Sequence, residues 1–308
     1  MLSIINALIP VILVILLGIL LRHTALFIDE HWRGLENLCY FVLFPALLIK
    51  TLATARIGSS EVLLFAAMVL FAIFSMSALM LLVRPLLQRR LRVSPAAFTS
   101  LFQGATRWHG FIALSITGFL LGEEAIAYMA ITMAVIIPPI NVINVWVLAR
   151  YCGGGAGTAS VLKKLAANPF ILACVVGAAL NLSGVGLSGL PYQAVSMLGD
   201  GALGVGLLVV GAGLHFRRVV EDRAMVAFGT LVRLLGMPLL MFCGAWLLGI
   251  EGMPRTVAVI SAAVPTAASS YVLARQMGGD APLMANLITV QVVASVFTLP
   301  LMIWLSGT

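Results

Sequence analysis

The sequence predicts an all-α integral membrane protein. Ten transmembrane helices are expected, arranged as two inverted five-helix repeats. Three observations carry this. Of 308 residues, 62% are hydrophobic and 9% charged, with a mean hydropathy of +1.12. The apolar runs exceed the roughly 18–20 residues that a bilayer core requires. Second, Leu121-Gly122-Glu123-Glu124-Ala125 is answered 156 positions later by Met277-Gly278-Gly279-Asp280-Ala281, each pair of apolar spans flanking it alike. Third, five spans precede a basic, Gly-rich connector and five follow. An odd-numbered unit repeated once enters the bilayer from opposite sides, which inverts the copies.

The spans fall at about 4–21, 36–54, 61–84, 96–120, 123–149, 168–186, 192–214, 222–249, 253–276 and 281–305. Helices are the open structure that satisfies its own backbone in lipid. Arg22 follows the first span and no Lys or Arg precedes it, the reverse of a secretory leader. The repeats are expected at 1–150 and 168–308, joined by a cytoplasmic linker over 151–167 that contains Gly153-Gly154-Gly155-Ala156-Gly157. That run lacks the GK[ST] ending of a phosphate loop and follows no strand.

Charge placement sets the orientation. Thirteen basic residues gather around the ends of the odd-numbered spans: Arg22, Arg33, Arg84, Arg89, Arg90, Arg92, Arg150, Lys163, Lys164, Arg217, Arg218, Arg223 and Arg275. Only Arg56 and Arg255 lie on the other side. The positive-inside rule then puts the odd loops in the cytoplasm and both termini outside. It also explains the net charge of +7 without a nucleic-acid partner. Cys39, Cys152, Cys174 and Cys243 have no CxxC spacing, so neither a disulfide framework nor a metal site is expected. With no ATP-binding motif, HExxH or GxSxG, the chain reads as neither a pump nor an enzyme, and no cofactor is expected.

Two interruptions stand at matching places. The ninth span carries Pro265 in its middle, within Ser261-Ala262-Ala263-Val264-Pro265-Thr266-Ala267-Ala268-Ser269-Ser270. A mid-helix proline removes a donor and frees carbonyls. The fourth span answers with Gly104, Arg107, His109 and Gly110, and the 156-residue offset pairs His109 with Pro265. Interrupted helices at corresponding positions point to a transporter's site, because half-helix N-termini offer bare N–H groups to an anion. The expected substrate-binding set is Arg107, His109, Gly110, Pro265, Thr266 and Ser269; two kinked packing helices are the plainer alternative.

Arg107 lies deep in a span, where an arginine costs at least ~2.5 kcal/mol and is functional by default. Its planar fork suits a carboxylate, or else a structural pair with Asp200. His109 is a candidate proton carrier, and Asp200 a candidate coupling carboxylate, a boundary residue or the partner of Arg107. Asn141 and Asn144 in the fifth span, with Asn286 and Gln291 in the tenth, are expected to brace the crossing by hydrogen bonds. Lys50 is expected to snorkel from the end of the second span. Arg233, inside the eighth, has no role assigned by sequence.

Several segments resemble the auxin efflux carrier family, the plant PIN carriers and their bacterial relatives. Phe41-Val42-Leu43-Phe44-Pro45-Ala46-Leu47-Leu48 resembles the family's second helix and Asn168-Pro169-Phe170-Ile171-Leu172-Ala173 the opening of its sixth. Gly206-Leu207-Leu208-Val209-Val210-Gly211-Ala212-Gly213-Leu214 resembles its seventh, and Ala262 through Leu301 its C-terminal pattern. The resemblance implies a scaffold of helices one, two, six and seven and a transport domain in which helices four and nine break and cross beside the substrate. The chain departs from the pattern twice: Thr106-Arg107-Trp108-His109-Gly110-Phe111 stands where relatives usually have Asn, and Gly204 where they often have Pro.

The expected function is a secondary active permease for a small organic anion, a carboxylate by the logic of Arg107, working by alternating access. The alternative is a sodium-coupled symporter of the bile-acid transporter type. The expected setting is a bacterial cytoplasmic (inner) membrane, and the expected partners are the anion, the lipid bilayer and a second copy in a homodimer.

Overall fold

The computed structural model of the chain describes residues 2–24, 26–54, 59–153, 169–213, 223–267 and 269–307. The connector beyond Gly153 lies outside them, as do Arg56, Lys163, Lys164, Asn168, Leu214, Arg217, Arg218 and Ala268.

Every regular element among the described residues is helical. We number them α1 (Leu2–Arg22), α2 (Asp29–Thr54), α3 (Ser59–Leu91), α4 (Pro95–Thr106), α5 (Gly110–Leu121), α6 (Glu123–Cys152), α7 (Pro169–Leu182), α8 (Gly189–Ala212), α9 (Arg223–Leu247), α10 (Gly252–Ala263), α11 (Ser269–Met277) and α12 (Ala281–Leu305). Six of them, namely α2, α6, α8, α9, α12 and the Glu61–Leu91 stretch of α3, are long and apolar enough to cross a membrane. The expected fourth and ninth spans are the broken pairs α4/α5 and α10/α11. Outward faces carry Leu82, Trp246 and Phe297, all largely exposed, a surface suited to acyl chains rather than to water.

The ends of these helices have local causes. Ser94 caps α4 by accepting from the Ala97 N–H at 3.1 Å, with Pro95 at the first helical position. Asp280 caps α12 by accepting from the Leu283 N–H at 2.9 Å. α2 begins at Asp29, ahead of the expected 36, and α3 runs on past the expected 84 to Leu91. Asp29 and Glu30 occupy the first turn of α2, where carboxylates favour the helix dipole. The 156-residue correspondence extends to the backbone. α5 ends at Leu121 and α11 at Met277, and the glycines that follow, Gly122 and Gly278, adopt φ of 81° and 78°. That left-handed conformation favours glycine at both positions.

The chain forms two compact units. The first takes Met1–Leu63, Gly110–Ala134 and Leu165–Leu214. Its helices approach closely through glycines. A Cβ added at Gly211 would meet the carbonyl of Ile15, and one at Gly18 the carbonyl of Leu208, so α1 and α8 touch backbone to backbone. Phe44 of α2 stacks on Phe111 of α5 with ring centroids 4.3 Å apart, and Phe170 of α7 packs beside both. The second unit takes Leu64–His109, Val135–Lys164 and His215–Thr308 and holds both interruptions described next.

Candidate functional site

The two breaks have the same conformation and different causes. α10 ends where Val264 turns extended (φ −72°, ψ 152°) because the residue before a proline is driven out of the helical region. α4 ends at Arg107 in nearly the same conformation (φ −75°, ψ 155°), with no proline following. Its geometry is held from outside: the His109 N–H donates to the Pro265 carbonyl at 2.9 Å, so the two interruptions cross backbone to backbone. Trp108 between them is buried.

The backbone groups released by the breaks are satisfied by side chains. Gln291 of α12, fully buried, does most of it. Its Oε1 accepts from the Thr266 N–H at 2.9 Å, while its Nε2 donates to the carbonyls of Gly104 and Gly229 at 3.2 and 3.3 Å. Thr266 also donates its hydroxyl to the Gln103 carbonyl at 3.4 Å and lies 3.3 Å from the Ser270 hydroxyl. From α6, Asn144 pairs with the Thr106 hydroxyl at 3.2 Å. Asn286 is half-buried on α12; the bonds from that helix to the crossing come from Gln291.

Arg107 stands at the crossing, half-buried. Its guanidinium donates to Asn141 Oδ1 and to Ser269 Oγ, both at 3.2 Å. Asn141 in turn donates to the Ile137 carbonyl one turn back. Five predicted residues, Arg107, His109, Pro265, Thr266 and Ser269, therefore gather within the second unit together with the braces Asn141 and Gln291. Gly110 opens α5 in the first unit, where an added Cβ would press on the Met133 methyl. Gln103, one turn before Arg107, is fully buried, and neither polar atom of its amide has a hydrogen-bond partner among the described residues.

Residues 157–303 match the family described as "Membrane transport protein", the domain of the auxin efflux carriers. That match lies in the second half of the chain. The chain is also 25% identical to an "Uncharacterized transporter" of Methanothermobacter thermautotrophicus over 299 residues, which cover 94% of each chain. The chain is thus an integral membrane protein and a membrane transporter.

Two buried cations of this transporter were not placed by sequence reasoning. Lys50 does not snorkel. It is 6% exposed, and its Nζ lies 2.9 Å from Glu123 Oε1 and 3.1 Å from Asp200 Oδ1, both within the first unit. Two carboxylates reach the ammonium where it stands, so its stem need not extend to the membrane surface. Asp200 is accordingly held by Lys50, with Ser196 donating to its other oxygen at 3.3 Å. The signal available in the sequence was one buried lysine and two acids on separate helices, with no spacing to link them.

The carboxylates are exposed and the ammonium is not, which makes the pair asymmetric. Removing either acid alone leaves Lys50 one partner and should cost at most about 1 kcal/mol, as exposed ion pairs do. Removing both in Glu123→Gln/Asp200→Asn leaves a buried charge uncompensated, which is expected to cost on the order of 3 kcal/mol. Thermal unfolding in detergent checks this: the double variant should fall by clearly more than the sum of the singles.

Arg233 is the second. It is 1% exposed and sits in a π-helical stretch of α9, Val232–Gly236. Its guanidinium donates to three carbonyls at the broken ends: Val264 at 2.8 Å, Ser261 at 3.2 Å and Ala105 at 3.4 Å. A helix terminus leaves its last carbonyls without intrahelical donors, and no spacing in the chain marks which side chain meets them.

Proposed function

We propose that this transporter is a secondary active permease for a small organic anion, a carboxylate, that works by alternating access. It would be built as two inverted five-helix repeats over 1–150 and 168–308, with a cytoplasmic linker between them and both termini outside the cytoplasmic membrane. The observation that carries the reading is the crossing of two interrupted helices beside a half-buried arginine. Carriers of this design bind substrate where discontinuous helices meet near the bilayer midplane. Arg107 has a second requirement met: Asn141 and Ser269 hold its guanidinium at the crossing, and a planar fork of donors suits a carboxylate. The buried, unsatisfied amide of Gln103 one turn away adds polar capacity beside it.

The test is a thermal-shift screen of the purified protein against mono- and dicarboxylates and indole acids. At least one anion is expected to raise the wild-type melting temperature, and Arg107→Gln is expected to abolish that rise while folding normally. An equal rise in the variant would remove Arg107 from the site. No rise with any anion in the wild type would sink the organic-anion reading.

A further inference from the structure

The sharpest unexplained group is Arg233, and its surroundings identify what it replaces. Where a helix is broken inside a membrane, the end of its first half exposes carbonyl oxygens and the negative pole of the helix dipole. In carriers built from such helices, those carbonyls and half-helix C-terminal ends coordinate the coupling cation. Here α4 and α10 both end at the crossing, and the oxygens of Ala105, Ser261 and Val264 converge on one point within the second unit. That point is filled by the guanidinium of Arg233. Among the described residues no carboxylate lies within ion-pair distance of it, so the carbonyls and helix dipoles are its counter-charge.

We infer that Arg233 is a resident cation, tethered to α9, which occupies the place a sodium ion would take, and that the carrier therefore cycles without binding sodium. This rests on the carrier reading above and decides a property that reading leaves open. An arginine stays protonated at any physiological pH, so the site is never vacated by titration. Its planar fork reaches three oxygens on two different helix ends, a task for which a lysine's point charge is poorly shaped. The π-helical stretch fits the same role, because the extra residue in the turn rotates the arginine out of regular register, a feature that recurs at functional sites.

Sodium and guanidinium ions are the probes. Wild-type protein should show no saturable binding of radioactive sodium, and its melting temperature should not change when sodium chloride is replaced by choline chloride at equal ionic strength. Arg233→Ala should melt lower and be restored by guanidinium ion well below denaturing concentrations, which should leave the wild type unmoved. Should that variant fail to fold, Arg233→Lys keeps the charge and is expected to fold less stably than wild type, still without sodium dependence. Saturable sodium binding by the wild type would overturn the proposal. So would an alanine variant as stable as wild type and indifferent to guanidinium. The anion screen tests the carrier reading separately: sodium binding with the anion response intact would defeat only the resident cation.

Discussion

Gln291→Leu is expected to lower stability by several kcal/mol, the largest loss for any single uncharged side chain in the second unit. The residue is fully buried and satisfies one N–H and two carbonyls, those of Thr266, Gly104 and Gly229. Leucine fills much the same volume but leaves all three groups unpaired in a dry interior, at on the order of 1–3 kcal/mol for each. Gln291→Glu makes a sharper test. Its carboxylate still accepts from Thr266 but turns oxygen toward the two carbonyls that the amide had donated to. Repulsion is then added to the lost bonds, and the glutamate variant should be at least as unstable as the leucine one. Thermal unfolding of detergent-purified protein measures both. Equal melting of wild type and Gln291→Leu would show that the crossing does not depend on this brace.

The bracing also explains how much of the site the sequence disclosed. The break at Pro265 is written locally, since a proline ends a helix and extends the residue before it whatever surrounds it. The break at Arg107 is not. Arg107, Trp108 and His109 have no intrinsic requirement to leave a helix; they do so because the Pro265 carbonyl takes the His109 N–H and because Asn141 and Ser269 hold the arginine. It became legible through the 156-residue correspondence, which projects the proline's position onto the fourth span, and through the family resemblance, which implies a break there. The offset was itself read from Gly122 and Gly278, which share a left-handed backbone after a helix that glycine adopts most readily.

Contacts between residues far apart in the chain carried no such mark. Lys50 lies 73 residues from Glu123 and 150 from Asp200, and Arg233 is 128 residues from Ala105. In each case one partner is a charge that looked isolated and the other is an acid on a distant helix or a backbone carbonyl, which every residue has. Burial of a charge inside a span signals that some compensation exists. Its direction comes only from the fold. For Lys50 that compensation is ionic and partly exposed; for Arg233 it is a set of backbone dipoles, which no residue type advertises.

Gly211→Leu should prevent the first unit from assembling in its native form, whereas Gly204→Ala should be silent. Both glycines lie in the same apolar helix, α8, and propensity alone would favour either replacement. The difference is space. A Cβ at Gly211 would collide with the Ile15 carbonyl and sit 3.1 Å from Gly18 Cα, and both are backbone atoms that cannot rotate away. At Gly204 nothing lies within 4 Å. Inserting even a few atoms into a packed contact costs about 1–3 kcal/mol when side chains can move, and more when the obstacle is backbone. Between helices in lipid, close packing of small residues is a main source of attraction, so separating α1 from α8 also removes the contact that joins them. Gly211→Leu is therefore expected to lower the yield of monodisperse protein on size exclusion and to melt far below wild type, with Gly211→Ala between them. A Gly211→Leu protein as stable as Gly204→Ala would mean that α1 and α8 do not meet at their glycines.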